Sequence, residues 1–371
     1  MAEKENKDNV VIERVQAEIN KIDKKENTIY FFVLDTKGNP SGSLEYIYKL
    51  AYLLNTEGYN VSMLYQEDEE FIGVGEWLGE EYASLKHENI ASETTSVAPS
   101  DILFIPEIFS NVMAQAKQLP CKKIAIFQNY DYISEQIPLS VQWGDYNILD
   151  AIVNTDENAN LLKTIFPYVK SHVITPYIDG IFYDIKEPKK MIINIVSKNP
   201  SNINRIIKPF YWAYPTFKWV TFRDLRGFSK KDFADKLREA AMTIWIDDDT
   251  NFGYSALEAM KSGSMLLAKL PDNQLPWITN ENGELTNGCI WFDNIHQLPK
   301  LLAQLVRAWV TNSIPENITK EGKDIASQYT KEQTKTQIVD YVKNVIDKRK
   351  QELNNLILAV KGQVKHKSNE S

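Results

Sequence analysis

Residues 246–263 read IDDDTNFGYSALEAMKSG, and the rest of the chain is best read outward from them. The run MTIWI at 242–246 is short, apolar and partly β-branched, and it stops at a cluster of polar residues and a glycine. That pattern predicts a buried strand ending in a turn. From Tyr254 the apolar positions take helical spacing, and the pattern stops at Gly263, so a helix is expected over 254–262. A strand that turns through glycine into a helix is half of an α/β unit. It also presents the first amides of a helix, around Gly253, Tyr254 and Ser255, where an anion is favoured.

The same alternation extends in both directions. Strands are expected over 191–196, 218–222, 264–268 and 289–292, with helices over 202–211, 230–241 and 296–309. An earlier block repeats it. The run TIYFFVLD at 28–35 leads through a turn at 38–42 into helically spaced Leu44, Ile47, Tyr48, Leu50, Ala51 and Leu54, and 60–65 returns as a strand. Further strands are expected over 101–105, 122–127, 151–154 and 172–175, with a helix over 156–166. Strand–helix–strand order implies parallel pairing, and continuous apolar runs imply strands covered on both faces. The expected division is a charged extension over 1–27, a first α/β domain over 28–180 and a linker over 181–190. A second α/β domain over 191–330, a long helix over 331–360 and a basic tail over 361–371 complete it.

Composition narrows the class of function. With 371 residues, 43% of them hydrophobic, the chain is long enough for two cores. A net charge of −8 argues against a nucleic-acid backbone as partner. Cys121 and Cys289 are far apart in sequence, and the four histidines form no motif, so neither a disulfide framework nor a zinc site is expected. The first residues are charged and lack a signal-like apolar core, and no apolar run is long enough to span a bilayer, so a cytoplasmic protein is expected. The lysines and arginine of 343–367 leave open a peripheral membrane contact through the basic C-terminal helix, against simple packing of that helix on the domains.

Phe252-Gly253 followed by Leu257-Glu258-Ala259-Met260 and Gly263 resembles the retaining GT-B glycosyltransferases, in particular glycosyltransferase family 4. Their second domain carries an E-x7-E element of the form E-G-F-G-x-x-x-L-E-A-M. The resemblance covers roughly 28–309. It implies an α/β, GT-B fold: two doubly wound, Rossmann-like domains facing a cleft, with a C-terminal helix crossing back. It implies transfer of a sugar from a nucleotide-sugar donor, UDP- or GDP-linked, with retention and with neither cofactor nor metal. By the same resemblance Glu258 hydrogen-bonds the ribose, and Gly253, Tyr254 and Ser255 receive the diphosphate beside Asn251 and Phe252. The family's first glutamate, which contacts the donor sugar, is Thr250 here, and Asn251 replaces a glycine. Asp249 standing in for that carboxylate, or the Thr250 hydroxyl bonding the sugar itself, would restore a contact; otherwise activity is lost.

The resemblance reaches other positions. Lys198 follows the first strand of the second half, where the family places a cation on the donor phosphates, and Arg205 is the expected second cation. Gln128 and Asn129 end a strand as an F-x-Q-N-x-Y type segment and are candidate contacts for donor sugar or acceptor. Gly42 and Ser43 open the helix after the first strand, where backbone can approach a ligand, although the spacing is not a dinucleotide fingerprint. The acceptor, whether glycan, lipid-linked molecule or protein, is not legible. Rival readings are an inactive GT-B binding or scaffold protein, a glycosyltransferase acting on modified nucleic acid, and a metal-binding D-x-D of GT-A type in the aspartates 247–249.

Overall fold

A computed structural model describes residues 2–66, 71–75, 77–91, 96–248, 250–280 and 282–369. The chain divides into two compact units. One comprises Met1–Gly75, Glu80–Ile174 and Lys335–Ser371, and the other Glu76–Gly79 and Thr175–Thr334. The division at Thr175 lies ahead of the stretch 181–190 that the prolines and charges marked as a linker. Packing explains the difference. Ile178 and Phe182 are buried in a core of the second unit, and the Ile178 amide donates to the Tyr329 carbonyl at 3.1 Å.

The first unit opens with α1 (Ala2–Asp23), within the segment expected to be a charged extension. It continues through β1 (Thr28–Phe32), α2 (Gly42–Thr56), β2 (Asn60–Tyr65), α3 (Glu80–Ala83) and β3 (Lys86–Asn89). Next come β4 (Ile102–Pro106), α4 (Ser110–Ala116), β5 (Lys122–Phe127), α5 (Tyr130–Gln136), β6 (Asp150–Val153), α6 (Asp156–Ile165) and β7 (Lys170–Val173). The seven strands form one parallel sheet in the order β3-β2-β1-β4-β5-β6-β7. Alternate residues serve opposite faces. Tyr30, Phe32, Leu103 and Ile105 enter one core with Trp143 and Leu162, while Phe31 stacks on Phe104 with ring centroids 4.6 Å apart.

The second unit runs through β8 (Lys190–Ser197), α7 (Ser201–Ala213), β9 (Thr221–Asp224), α8 (Lys230–Glu239) and β10 (Ala240–Ile246). It then adds α9 (Tyr254–Lys261), β11 (Met265–Lys269), β12 (Ile290–Phe292), α10 (Leu298–Val310) and α11 (Glu316–Ser327). Its five strands are also parallel, in the order β12-β11-β10-β8-β9. Every residue of β10 is buried. Met242, Ile244 and Ile246 pack with α7 and α10 residues, and Trp245 packs on the opposite face with α8, α9 and α11 residues. The strand expected over 218–222 starts later because Pro215–Phe217 winds as a 3₁₀ turn.

The last helix, α12 (Lys331–Asn369), starts in the second unit and belongs to the first from Lys335 onward. It continues past residue 360 through most of the segment expected to be a tail. Leu353 and Ile357 bury against Ile19 and Ile22 of α1, so the C-terminal half of α1 is part of the first unit's packing. Among the described residues no helix is long and apolar enough to cross a membrane.

In each sheet the first strand has later strands on both sides: β1 lies between β2 and β4, and β8 between β9 and β10. The crevice outside the C-terminal ends of such a strand pair is where open α/β sheets receive ligands.

One close approach inside the second unit tests this packing. A Cβ on Gly322 of α11 would lie 2.6 Å from the Gly288 carbonyl oxygen, and one on Gly288 would lie 2.9 Å from the Gly322 Cα. Glycine to alanine in a helix normally gains up to about 1 kcal/mol. Here the neighbour is backbone, which cannot swing aside, and overpacking costs about 1–3 kcal/mol. Gly322→Ala is therefore expected to lower the urea midpoint, and an unchanged or raised midpoint would show that the backbones can separate.

Candidate functional site

In the second unit, the switch from β8 to β10 brings charge together from segments far apart in sequence. Lys198 follows β8 directly, and its Nζ lies 2.9 Å from the Asp247 carboxylate at the end of β10. Lys269, the last residue of β11, pairs with Asp248. The acidic loop after β10 is thus flanked by a lysine from each neighbouring strand. Asp249 lies outside the described residues.

The turn into α9 is built by side chains. The Thr250 hydroxyl accepts the Gly253 amide at 3.0 Å. The Asn273 side-chain amide donates to the Thr250 carbonyl and the Asn251 Oδ1, both at 3.3 Å. The Trp277 indole donates to the Phe252 carbonyl at 2.7 Å. Gly253 is the N-cap of α9 with φ 76°, in the left-handed region that favours glycine. A Cβ there would meet the Trp277 ring at 3.0 Å and Leu275 at 3.2 Å, so both conformation and space call for glycine.

Behind the turn stands Trp245, whose Nε1 donates to the Ser255 Oγ at 3.1 Å. Phe252 is buried, edge-on to Tyr254 and to Tyr329. Glu258, expected to hydrogen-bond the ribose, is 5% exposed. A carboxylate so withdrawn from water needs partners for its charge, and Glu258 has an electrostatic or hydrogen-bonding partner within the protein. Arg205 stands in the second turn of α7, exposed, with its Nη1 donating to the Asn202 Oδ1 at 3.3 Å. Thr250, Asn251, Phe252, Gly253, Tyr254 and Ser255 therefore share one structured turn with Lys198 at its rim.

The first unit has a corresponding cluster where β4 and β5 end. The Asn129 side chain accepts the Asp131 amide at 2.9 Å and so caps α5. The Gln128 Nε2 donates to the Ser43 carbonyl at 3.2 Å, joining the start of α2, whose first residue is Gly42, to the end of β5. Ser41 caps that helix, accepting the Leu44 amide at 3.4 Å. Gly42, Ser43, Gln128 and Asn129 thus come to one edge of this sheet.

At the same edge lies Glu107, which no sequence motif singled out. It follows the apolar run ILFIP of β4. A charged residue directly after a buried strand is the one signal that could have found it. Glu107 is 2% exposed. One of its oxygens accepts the Gln128 amide at 2.9 Å and the Asn129 amide at 2.8 Å. Burial pushes its carboxyl up to about 7, against the opposing pull of those amides.

Among the described residues no group of three or more His, Cys, Asp or Glu is placed to hold a metal ion. Cys121 and Cys289 are buried free thiols.

No protein-family model and no curated protein matches the chain. Solved structures do. A sucrose-phosphate synthase from Thermosynechococcus elongatus superposes with a TM-score of 0.59 at 12% identity, covering 86% of this chain and 99% of its own. The pneumococcal O-GlcNAc transferase GtfA, solved with UDP and GlcNAc, gives 0.59 at 10% identity, covering 87% of this chain and 99% of its own. A mutant of S. aureus TarM, solved with fondaparinux, alpha-GlcNAc-glycerol and UDP, gives 0.59 at 11% identity over 86% of this chain and 99% of its own. These are likenesses of fold, and the fold is GT-B: two parallel-sheet α/β domains with a long C-terminal helix.

Proposed function

We propose that this chain is a glycosyltransferase that binds a nucleotide sugar at the β8–β10 switch of its second unit. The observation that carries the reading is the turn from β10 into α9. It combines a left-handed Gly253, helix amides at Tyr254 and Ser255, Lys198 at the rim, and a buried carboxylate at Glu258. A diphosphate suits the helix N-terminus and the lysine, and Glu258 suits the two ribose hydroxyls. The fold neighbours solved with UDP favour UDP over GDP as the base to try first. By family resemblance the transfer retains anomeric configuration and needs no metal, and the net charge of −8 argues for an acceptor outside the nucleic acids. The protein's part is then to orient the reactants and stabilise the leaving diphosphate.

A second reading has its own observation. The Thr250 hydroxyl, at the position of the family's sugar-binding glutamate, is already engaged with the Gly253 amide. That favours a chain that binds a nucleotide without transferring sugar.

One titration separates the outcomes. Thermal unfolding is followed with UDP, GDP and their sugar conjugates, with Glu258→Gln alongside and donor hydrolysis measured in parallel. One nucleotide family is expected to stabilise the protein, by about 2.7 kcal/mol at a hundredfold excess over Kd. Glu258→Gln is expected to weaken that binding by about 10- to 100-fold, through loss of charge-assisted hydrogen bonds. Binding with hydrolysis supports the transferase, and binding without turnover supports the second reading. No shift with any nucleotide removes both.

A further inference from the structure

Charge is spread unevenly over this chain. Its net charge is −8, yet residues 201–219 and 298–310 contain Arg205, Lys208, Lys218, Lys300 and Arg307 and no Asp or Glu. These residues include α7, the 3₁₀ turn Pro215–Phe217 and α10. The two helices pack side by side on one face of the second sheet through Ile206, Phe210, Leu302 and Val306. All five cations are exposed, and none has a carboxylate partner among the described residues. The C-terminal helix, the other basic surface, is different. Its cations are interspersed with Asp340, Asp347 and Glu352, and Lys335, Arg349 and Lys350 are in ion pairs.

The second observation is apolar. Trp212 is 77% exposed and Trp219 52%, the two exposed tryptophans among the eight of the chain, and Val310 is 63% exposed. They share one end of the face. Lys208 and Trp212 are four residues apart on α7 and so lie on one side of it. The Arg307 guanidinium of α10 lies 5.7 Å from the Tyr214 and Phe217 ring centroids, which joins the C-terminal ends of α7 and α10. The Trp219 ring meets Phe217 edge-on at 6.4 Å. A single exposed apolar side chain needs no explanation, but such residues grouped among uncompensated cations mark an interaction surface.

The place of the patch follows from topology. β8 and β9 are parallel, so α7 between them runs back to the edge where these strands begin. The patch therefore lies at the edge of the sheet opposite the β8–β10 turn, and an attachment there leaves that turn uncovered. Its composition is that of a surface lying in a bilayer interface. Indole rings settle at the headgroup level, and Lys and Arg are drawn to anionic lipid. Lysine is depleted from protein–protein interfaces, which favours lipid over a protein partner.

We propose that this end of the α7–α10 face attaches the chain peripherally to an anionic lipid bilayer, with Trp212 and Trp219 at the headgroup level and Lys208, Lys218 and Arg307 against the lipid phosphates. The inference does not rest on nucleotide binding by the second unit.

Flotation of the full chain with vesicles of phosphatidylglycerol and phosphatidylcholine, against phosphatidylcholine alone, tests it at about 0.1 M salt, where charges still act over about 10 Å. The chain is expected to float with the anionic vesicles and to bind the neutral ones at least about tenfold more weakly. Lys208→Glu/Lys218→Glu is expected to weaken attachment by at least about tenfold, because each cation at such a surface is worth about fivefold. Trp212→Ala is expected to weaken it by about fivefold or more, as the loss of buried apolar area requires. These positions are exposed, so the urea midpoints of the variants are expected to stay at that of the parent. Lys343→Glu/Lys348→Glu on α12 is expected to float as the parent does. The proposal is overturned if the chain does not float with anionic vesicles, or if it binds neutral ones equally well. It is also overturned if the folded face variants float as the parent does, or if the α12 variant is the one that loses attachment. Binding of a DNA duplex in place of vesicles, lost in the face variants, would give the face to a nucleic acid and overturn it too.

Discussion

Trp245→Ala is expected to cost about 3–5 kcal/mol of stability, the range for emptying a buried aromatic site. Trp245 is fully buried as the penultimate residue of β10. Its ring lies 5.9 Å from that of Trp277, which in turn stacks on Trp291 at 5.8 Å. The indole also approaches Gly253, whose Cβ position would lie 3.4 Å from the Trp245 Cζ2. Alanine would therefore open a void behind the turn and leave the Ser255 hydroxyl without its donor. The hydrogen bond is the smaller part, about 1 kcal/mol. Trp245→Phe keeps much of the ring and loses only the N–H, so it is expected to cost about 1–2 kcal/mol. Urea unfolding of both variants checks the division. If phenylalanine were as damaging as alanine, the hydrogen bond and not the packing would dominate. Because Gly253 and Ser255 belong to the candidate site, both variants are also expected to weaken nucleotide binding in the order of their instability.

The second unit was legible in sequence where one segment carried its own signal. MTIWI is apolar throughout because β10 is buried on both faces, and the helix after Gly253 carries Ala256, Leu257, Ala259 and Met260 because its middle is buried between the sheet and its helical neighbours. Elements lacking such a signal were not read. β3 is KHEN, an edge strand paired only to β2, and its polar residues give no apolar run. α11 contains Gly322, which reads as a breaker. The structure needs that glycine for close approach to Gly288, and this partner is invisible along the chain. α1 reads as a charged extension because only its contact with α12, more than 300 residues later, gives Ile19 and Ile22 their purpose.

The candidate sites divide in the same way. The N-F-G turn and Glu258 stand in one segment and could be picked out together. Lys198 is reached only through the family resemblance, and its pairing with Asp247, like that of Lys269 with Asp248, is not legible: the two lysines come from strands on either side of β10, and only the sheet order makes them neighbours. Thr250 and Asn129 show a further limit. A short polar side chain at the end of a strand serves a ligand or caps a turn equally well, and sequence carries no mark of the difference. Here the Thr250 hydroxyl accepts the Gly253 amide, and the Asn129 side chain accepts the Asp131 amide.

Glu107 gives the second large effect, and its sign follows from its burial. Its carboxyl is pushed up to about 7 from the usual 4.5. In acid below the unfolded value, both folded and unfolded chains hold the proton and the group is neutral in its apolar surroundings. As pH rises from about 4.5 to about 7, the unfolded chain releases the proton while the folded chain still keeps it, so stability falls across that window. A difference of that size corresponds to roughly 3 kcal/mol. Glu107→Gln has no proton to lose and retains an oxygen for the Gln128 and Asn129 amides. Its unfolding free energy is expected to gain roughly 3 kcal/mol on that of the parent between about pH 4 and about pH 8. Glu107→Ala behaves differently: two buried amides lose their acceptor, which costs about 2 kcal/mol or more at every pH. Urea unfolding of the three proteins across this range decides the matter. Parallel curves for the parent and Glu107→Gln would mean that the carboxyl does not titrate there. Diverging curves would identify a buried acid that changes charge near neutrality while holding the Gln128–Asn129 edge of the first unit in place.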